Sequence, residues 1–375
     1  MKKMPDNQVV AGNTTFAFDL YAQLQQKAGN LFFSPYSVSS ALAMTYAGTQ
    51  KNTAAQMSQV LHFGVDQTQF HPAFSDLQEQ INATQQKKDI ALNVANGLWV
   101  DESYPLVETF LDLVKRYYQA ELNLVDFKTA YETIRLKINA WVEKETNDKI
   151  QNLLKPDAVD SLTCLILVNA IYFKSNWASQ FDEHYTQEAP FWVTPTEKVD
   201  VAMMTQPGNQ FNYAKCNNIQ VLELPYKGNE ISMIVLLPEE KHDGLAELES
   251  LLSVKMLEKW LVLLQMQEVK VFLPKFKITT EFELSKTLAA MGMPDVFNPN
   301  TADFLGLWIS SVIHKAFVEV NEEGTEAAAA TAVELYFSSP TLTFYADHPF
   351  LFLIFHNPSK SILFLGRVVN PLDFA

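Results

Sequence analysis

The sequence predicts an α+β fold in one large domain. Three observations carry that expectation. Apolar residues recur at three- and four-residue spacing through the first part of the chain, the period of a helix with one buried face. Short β-branched and aromatic runs, bounded by Pro, Gly, Asn or charge, dominate the later part. No Gly-, Ser- or Pro-rich linker and no internal repeat divides the 375 residues, so a single domain over 1–375 is expected. Helices first and strands later imply large mixed sheets with helices against them.

The helical segments are "TTFAFDLYAQLQQKA", "SPYSVSSALAMTYAGT", "HPAFSDLQEQINATQQKK" and "YETIRLKINAWVEKETNDKI". Ser34-Pro35 reads as an N-cap followed by proline in the first turn. The strands are "TCLILVNAIYF", "IQVLELPY", "ISMIVLLP", "VKVFLPKF", "HKAFVEV", "FLFLIFH" and "ILFLGRV". One long helix is expected over "GLAELESLLSVKMLEKWLVLL".

Composition narrows the function. Hydrophobic residues make up 48% of the chain, ample for a core. The formal net charge of -15 repels phosphate backbones and anionic lipid, so neither nucleic acid nor a membrane surface is an expected partner. No apolar run reaches membrane-spanning length, and "MKKMPDNQVV" has no apolar core of a secretory signal. Cys164 lies in an apolar run and reads as a small buried hydrophobe; two cysteines leave one bridge open and do not settle the compartment.

Catalytic motifs are missing. The sequence has no G-x-S-x-G, H-E-x-x-H, G-x-x-x-x-G-K-[ST] or G-x-G-x-x-G. His62 and His71 are too far apart for one helical turn, and His348 and His356 flank an apolar strand, so no metal site and no cofactor are expected. Glu143 and Glu145 read as a solvated helix face. The glycosylation-type triplets at Asn13 and Asn82 carry no meaning without a secretory setting.

One segment resists a plain reading. "NEEGTEAAAATAVELYFSSP" follows a strand directly. At period two, Thr325, Ala327, Ala329, Thr331, Val333, Leu335 and Phe337 share a small or apolar face. Glu326, Ala328, Ala330, Ala332, Glu334 and Tyr336 share the other. Alanine also favours helix, so strand, surface helix and linker all stay open here. The small side chains would let such a strand enter a sheet without displacing packed neighbours. The apolar tip "LYFSS" argues against a bland linker.

Four blocks in order, "NLFFSPYSVSSALAM", "LVNAIYFKSNWASQFD", "NEEGTEAAAATA" and "ADHPFLFLI" with "ILFLGRVVNP", resemble the serpins, and the resemblance covers essentially the whole chain. It implies a serpin fold of three β-sheets, about eight or nine helices and an exposed reactive-centre loop at about 322–345. It also implies an inhibitor of serine proteases, not an enzyme. The protease attacks the loop as a substrate, the acyl-enzyme forms, and the freed hinge enters the central sheet as a new strand. The protease is carried along, distorted and trapped covalently.

By the same resemblance, Glu323, Gly324, Thr325, Glu326, Ala327, Ala328, Ala329, Ala330 and Thr331 form the hinge. Thr325 fits an inhibitory member, because a charge entering the sheet first would be buried without a partner. Ser34, Ser37, Asn169 and His314 match a polar cluster under the opening sheet, the shutter. Trp177, Lys275 and Glu322 match the breach at the sheet's top, where a Lys275–Glu322 salt bridge is expected. Counting from Gly324 and back from Pro349 gives Ser338-Ser339 as the scissile bond, with Phe337-Ser338 as the neighbouring choice. These suit elastase-, subtilisin- or chymotrypsin-like proteases. No Arg or Lys follows in "TAVELYFSSPTLTFYAD" for a trypsin-like acidic pocket. Ser175 stands where the family usually has glycine, and the surface loop between Phe304 and Ile309 is trimmed. "INATQQKKDIAL" holds only Lys87 and Lys88, so no heparin site is expected. A monomer is expected, with loop–sheet polymers as its aberrant state. An extracellular setting is the first expectation for such an inhibitor and a cytoplasmic one the alternative. A non-inhibitory carrier or chaperone, or an inhibitor of papain-like cysteine proteases, are the rival readings.

Overall fold

The structure is a computed structural model that describes residues 7–85, 90–118, 121–241, 243–324 and 342–373. The N-terminal part alternates helices with strands: α1 (Gln8–Leu24), β1 (Leu31–Phe33), α2 (Pro35–Tyr46), α3 (Lys51–Val60), α4 (Gln67–Gln85), β2 (Ile90–Asp101), α5 (Glu108–Tyr118), β3 (Glu121–Val125) and α6 (Phe127–Glu145). Then come β4 (Leu165–Ser175), β5 (Gln187–Trp192), β6 (Lys198–Cys216), β7 (Ile219–Pro225), β8 (Ile231–Pro238), α7 (Gly244–Leu251), α8 (Val254–Leu263), β9 (Gln265–Pro274) and β10 (Phe276–Glu283). The chain continues through α9 (Ser285–Met291), β11 (Ser311–Val320), β12 (Leu342–Tyr345), β13 (Phe350–His356) and β14 (Ser361–Val368).

Nine α-helices among the described residues agree with the expected number. Two expectations need correction. Strands β2 and β3 interrupt the helical part, so helices do not simply precede strands. The long helix expected after Gly244 is two, α7 and α8. The chain turns extended at Leu252, and the Ser253 side chain caps α8 by accepting from the Met256 amide at 3.3 Å. The Ser34-Pro35 start of α2 is as expected: Ser34 Oγ accepts from the Ser37 amide, with proline in the first turn.

Hydrogen bonding groups the strands into a five-stranded sheet, β10-β11-β4-β2-β3, and a nine-stranded one, β1-β14-β13-β8-β7-β6-β9-β12 with β5 on β6. The third sheet is the β5-β6-β9-β12 part of the larger one, continuous with the rest through the long strand β6, which pairs with β7. β6 breaks register against β9 between Gln206 and Asn209. Pro207 and Gly208 sit in that break: a missing donor and a φ of 143° suit a bulge that re-aims the strand.

The main core lies between the sheets and beneath α1, α2 and α4. A second core lies on the opposite face of the five-stranded sheet, under α6. There Trp141 of α6 meets Trp99 of β2 edge to face, 5.7 Å between centroids. Gly97 permits that approach, since a Cβ there would lie 2.9 Å from both indoles. The five-stranded sheet is thus covered on both faces, and its strand joints are where it can change.

Candidate functional site, the joint between β4 and β11

β4 and β11 form the one interior parallel pair of the five-stranded sheet; β10–β11 and β2–β4 on either side are antiparallel. Their ladder runs from Ser311↔Ile166 to Phe317↔Tyr172 and stops. Yet β11 continues to Val320 and β4 to Ser175. The joint is therefore closed at one end and unladdered at the other. A strand entering between them in the opposite direction would replace one parallel pairing by two antiparallel ones, which are somewhat more stable per residue.

The closed half rests on a buried polar row. His314 of β11 is in register with Asn169 of β4, which is in register with Asn96 of β2. His314 Nε2 accepts from the Ser34 amide at 3.1 Å, so its proton sits on Nδ1 and is donated to Asn169 Oδ1. Asn169 Nδ2 donates to Ser37 Oγ at 2.5 Å and to Asn96 Oδ1. Ser34 Oγ in turn donates to the Leu363 carbonyl at 2.7 Å. Burial pushes the His314 imidazole down to about 3, so it is neutral and both nitrogens are used as described. All four residues expected as a shutter, Ser34, Ser37, Asn169 and His314, are fully buried in this one network. α2 supplies the serines, because its first turn lies against β4.

The open end is tied by the turn Asn321–Gly324. Asn321 N donates to the Gly324 carbonyl at 2.9 Å, and Asn321 Oδ1 accepts from the amides of Glu323 and Gly324, each at 3.2 Å. Gly324 bridges Asn176 just beyond β4. At φ 141°, a Cβ on Gly324 would fall 2.2 Å from the Ser175 carbonyl oxygen, so only glycine fits there. Ser175 itself is buried without a left-handed backbone.

Trp177, Lys275 and Glu322 meet at this end. The Trp177 amide donates to the Glu323 carbonyl at 2.8 Å and its indole N–H to the Asn321 carbonyl at 3.0 Å. Its ring stacks on Tyr226, 4.4 Å between centroids. Lys275 Nζ lies 2.8 Å from Glu322 Oε2, and Thr186 donates to Oε1 at 2.7 Å. Burial pushes the Glu322 carboxyl up, but the bonds from Lys275 and Thr186 outweigh it and hold the group below its ordinary range. The Glu322 side chain is only 5% exposed while Lys275 is 42% exposed, so this pair is a half-buried lock of the turn.

Sequence reasoning missed Asn96, Thr186, Asn321 and Tyr226. Asn96 had a faint signal, an asparagine inside the strand-like "ALNVANGLWV". Thr186 and Tyr226 gain meaning only through contacts with Glu322 and Trp177, which are distant in sequence, and Asn321 through its indole contact with Trp177 as well as its local turn. Thr325, Glu326, Ala327, Ala328, Ala329, Ala330 and Thr331 of the hinge, and Phe337, Ser338 and Ser339, lie outside the described residues, as do Lys87 and Lys88. Both cysteines are free. Among the described residues no group of His, Cys, Asp and Glu could hold a metal ion.

Residues 11–371 match a sequence model described as Serpin (serine protease inhibitor). The leukocyte elastase inhibitor of Xenopus laevis is 45% identical over 374 residues, covering 96% of this chain and 98% of the relative. Serpin B3 of Homo sapiens is 43% identical, covering 97% and 100%. Among solved structures, uncleaved ovalbumin superposes with a TM-score of 0.88 at 35% identity, covering 97% of this chain and all of that one. Serpin48 of the insect Tenebrio molitor gives 0.85 at 32% identity, covering 98% and 99%. The order of strands, the joint between β4 and β11 and these matches agree: the chain belongs to the serpin family of serine protease inhibitors.

Proposed function

We propose that this chain inhibits an elastase- or chymotrypsin-like serine protease as a suicide substrate, and is not itself an enzyme. The observation that carries the reading is the half-closed joint. A seven-residue parallel ladder stops at Phe317 and Tyr172, and the chain leaves for the loop directly above it, at Gly324. Cleavage in the loop frees its N-terminal side to turn back into that joint as an antiparallel strand. Thr325 enters first, and the alanines 327–330 follow with little steric demand. The acyl-linked protease is drawn along, and completing the sheet supplies the energy that distorts it. Shutter hydrogen bonds re-form around the new strand, and the breach decides when it begins. The relatives named leukocyte elastase inhibitor support the choice of a small or apolar primary pocket.

The whole chain acts as one domain, because β6 runs through both parts of the larger sheet and leaves no boundary to cut. We place its work inside the cell. Secretion has no support among these findings. Asn13, in a glycosylation-type triplet, is buried in α1 and donates to the Ile362 carbonyl at 3.4 Å. A glycan added there would keep α1 from its place in the core. No described helix is long and apolar enough to cross a membrane.

The test is a gel. The protein is mixed with elastase, chymotrypsin, subtilisin and cathepsin L and denatured. A covalent band that survives boiling with a serine protease is the expected result. Cleavage without such a band and without a rise in melting temperature refutes the reading. A band with cathepsin L alone shifts it to cysteine proteases.

A further inference from the structure

A cleft of about 790 Å³ separates the first turns of α4 from one face of α5, far in sequence from the joint described above. That volume is in the range of sites for drug-sized molecules. α5 buries Phe110, Val114 and Tyr118, which turns Leu113, Lys115, Arg116 and Tyr117 toward the cleft. Pro72 of α4 adds apolar surface, and Arg116 lies over the Tyr117 ring at 6.0 Å. In a chain of net charge -15, this lining carries two cations and one carboxylate, Asp112.

His71 is the one fully buried side chain in the lining, 2% exposed. Its Nδ1 meets the Tyr118 hydroxyl at 2.5 Å, while its Nε2 has no hydrogen-bond partner. Burial holds the ring neutral, down to about 4, so it carries one proton. If the phenol donates to Nδ1, both groups there are satisfied and the single orphan is an Nε2–H donor. The opposite tautomer would orphan the phenol proton as well. A buried unmet donor costs about 1–3 kcal/mol, which an acceptor on a ligand would recover.

We propose that this cleft binds a small amphipathic anion, an aromatic carboxylate or sulfonate. Its charged group would sit at Lys115 and Arg116, its rings against Pro72, Leu113 and Tyr117, with a ligand acceptor on His71 Nε2–H. The proposal is independent of protease inhibition. It is tested by fluorescence titration of the full chain with 8-anilinonaphthalene-1-sulfonate, beside the neutral N-phenyl-1-naphthylamine. One saturable site is expected, with the neutral compound about tenfold weaker or worse, and Arg116→Glu and Lys115→Glu each weakening the anion about tenfold. Both residues are exposed, so melting should not change. The ¹⁵N signal of His71 Nε2 should move along the same saturation curve. Absence of a saturable site, equal binding of the neutral compound, charge reversals without effect, or a static His71 signal during saturation would each overturn the assignment.

Discussion

Replacing Lys275 by alanine tests the lock at the open end. The change removes an ammonium 2.8 Å from Glu322 and leaves a carboxylate, 5% exposed, with Thr186 as its remaining side-chain donor. Breaking a fully buried pair costs about 3–5 kcal/mol. Lys275 is itself 42% exposed, however, so water can follow into its place. A loss of roughly 2 kcal/mol is therefore expected, between the surface and buried cases. With an unfolding entropy of ~0.8 kcal/mol/K for a chain of this size, the melting temperature should fall by about 2–3 °C. The larger effect is local. The same ~2 kcal/mol spent on opening the turn raises the open population about thirtyfold. Polymers should then appear correspondingly faster on a native gel during incubation at moderately raised temperature. Glu322→Gln in the same background should restore most of the loss, because the cost lies in the stranded charge. If Lys275→Ala melts and polymerises like the parent, or Glu322→Gln makes it worse, the lock is misassigned.

The other predictions concern protonation, the turn and the loop. His314, His71 and His356 are buried with pKa values lowered to about 3, about 4 and about 4, each by desolvation. The unfolded chain takes up these protons near 6.5 and the folded one does not. Stability should thus be level above that pH and fall below it, by roughly 2 kcal/mol per histidine at pH 5. Denaturant midpoints that stay constant from pH 8 to pH 5 would contradict this. Gly324→Ala meets the Ser175 carbonyl and a φ of 141°, and should cost about 2–3 kcal/mol, read as accelerated polymerisation and a lower melting point. Thr325→Arg should turn the inhibitor into a substrate; trapping at unchanged stoichiometry would end the hinge argument. Mass spectrometry of the C-terminal fragment released by elastase and by chymotrypsin should show cleavage after Ser338 or after Phe337, and a cut elsewhere displaces the reactive bond.

Much of the fold was legible because its signals are local. Alternation and β-branching marked β4, β7, β8, β11, β13 and β14, and Ser34-Pro35 marked the start of α2. The misses are physical too. β2 has polar Asn93 and Asn96 among its apolar residues, so its period was obscured, and its pairing with β4 is what makes it a strand. The break between α7 and α8 depends on a single serine cap inside a continuous helical pattern. The site residues reached by resemblance could be named without knowing their geometry. Their partners could not, since Thr186 and Tyr226 have no special look in sequence and Asn96 only a faint one.

By itself, then, the sequence determined the family, because motif order is written residue by residue; the small-residue hinge and the apolar tip beside it are proposed from that resemblance and lie outside the described residues. The structure decided the rest. That β4 and β11 run parallel, stay laddered from Ser311 to Phe317 around His314 and open toward Gly324 is a property of strands far apart in the sequence. Register and burial between distant segments are set by the packing of the whole sheet, and no local stretch encodes them.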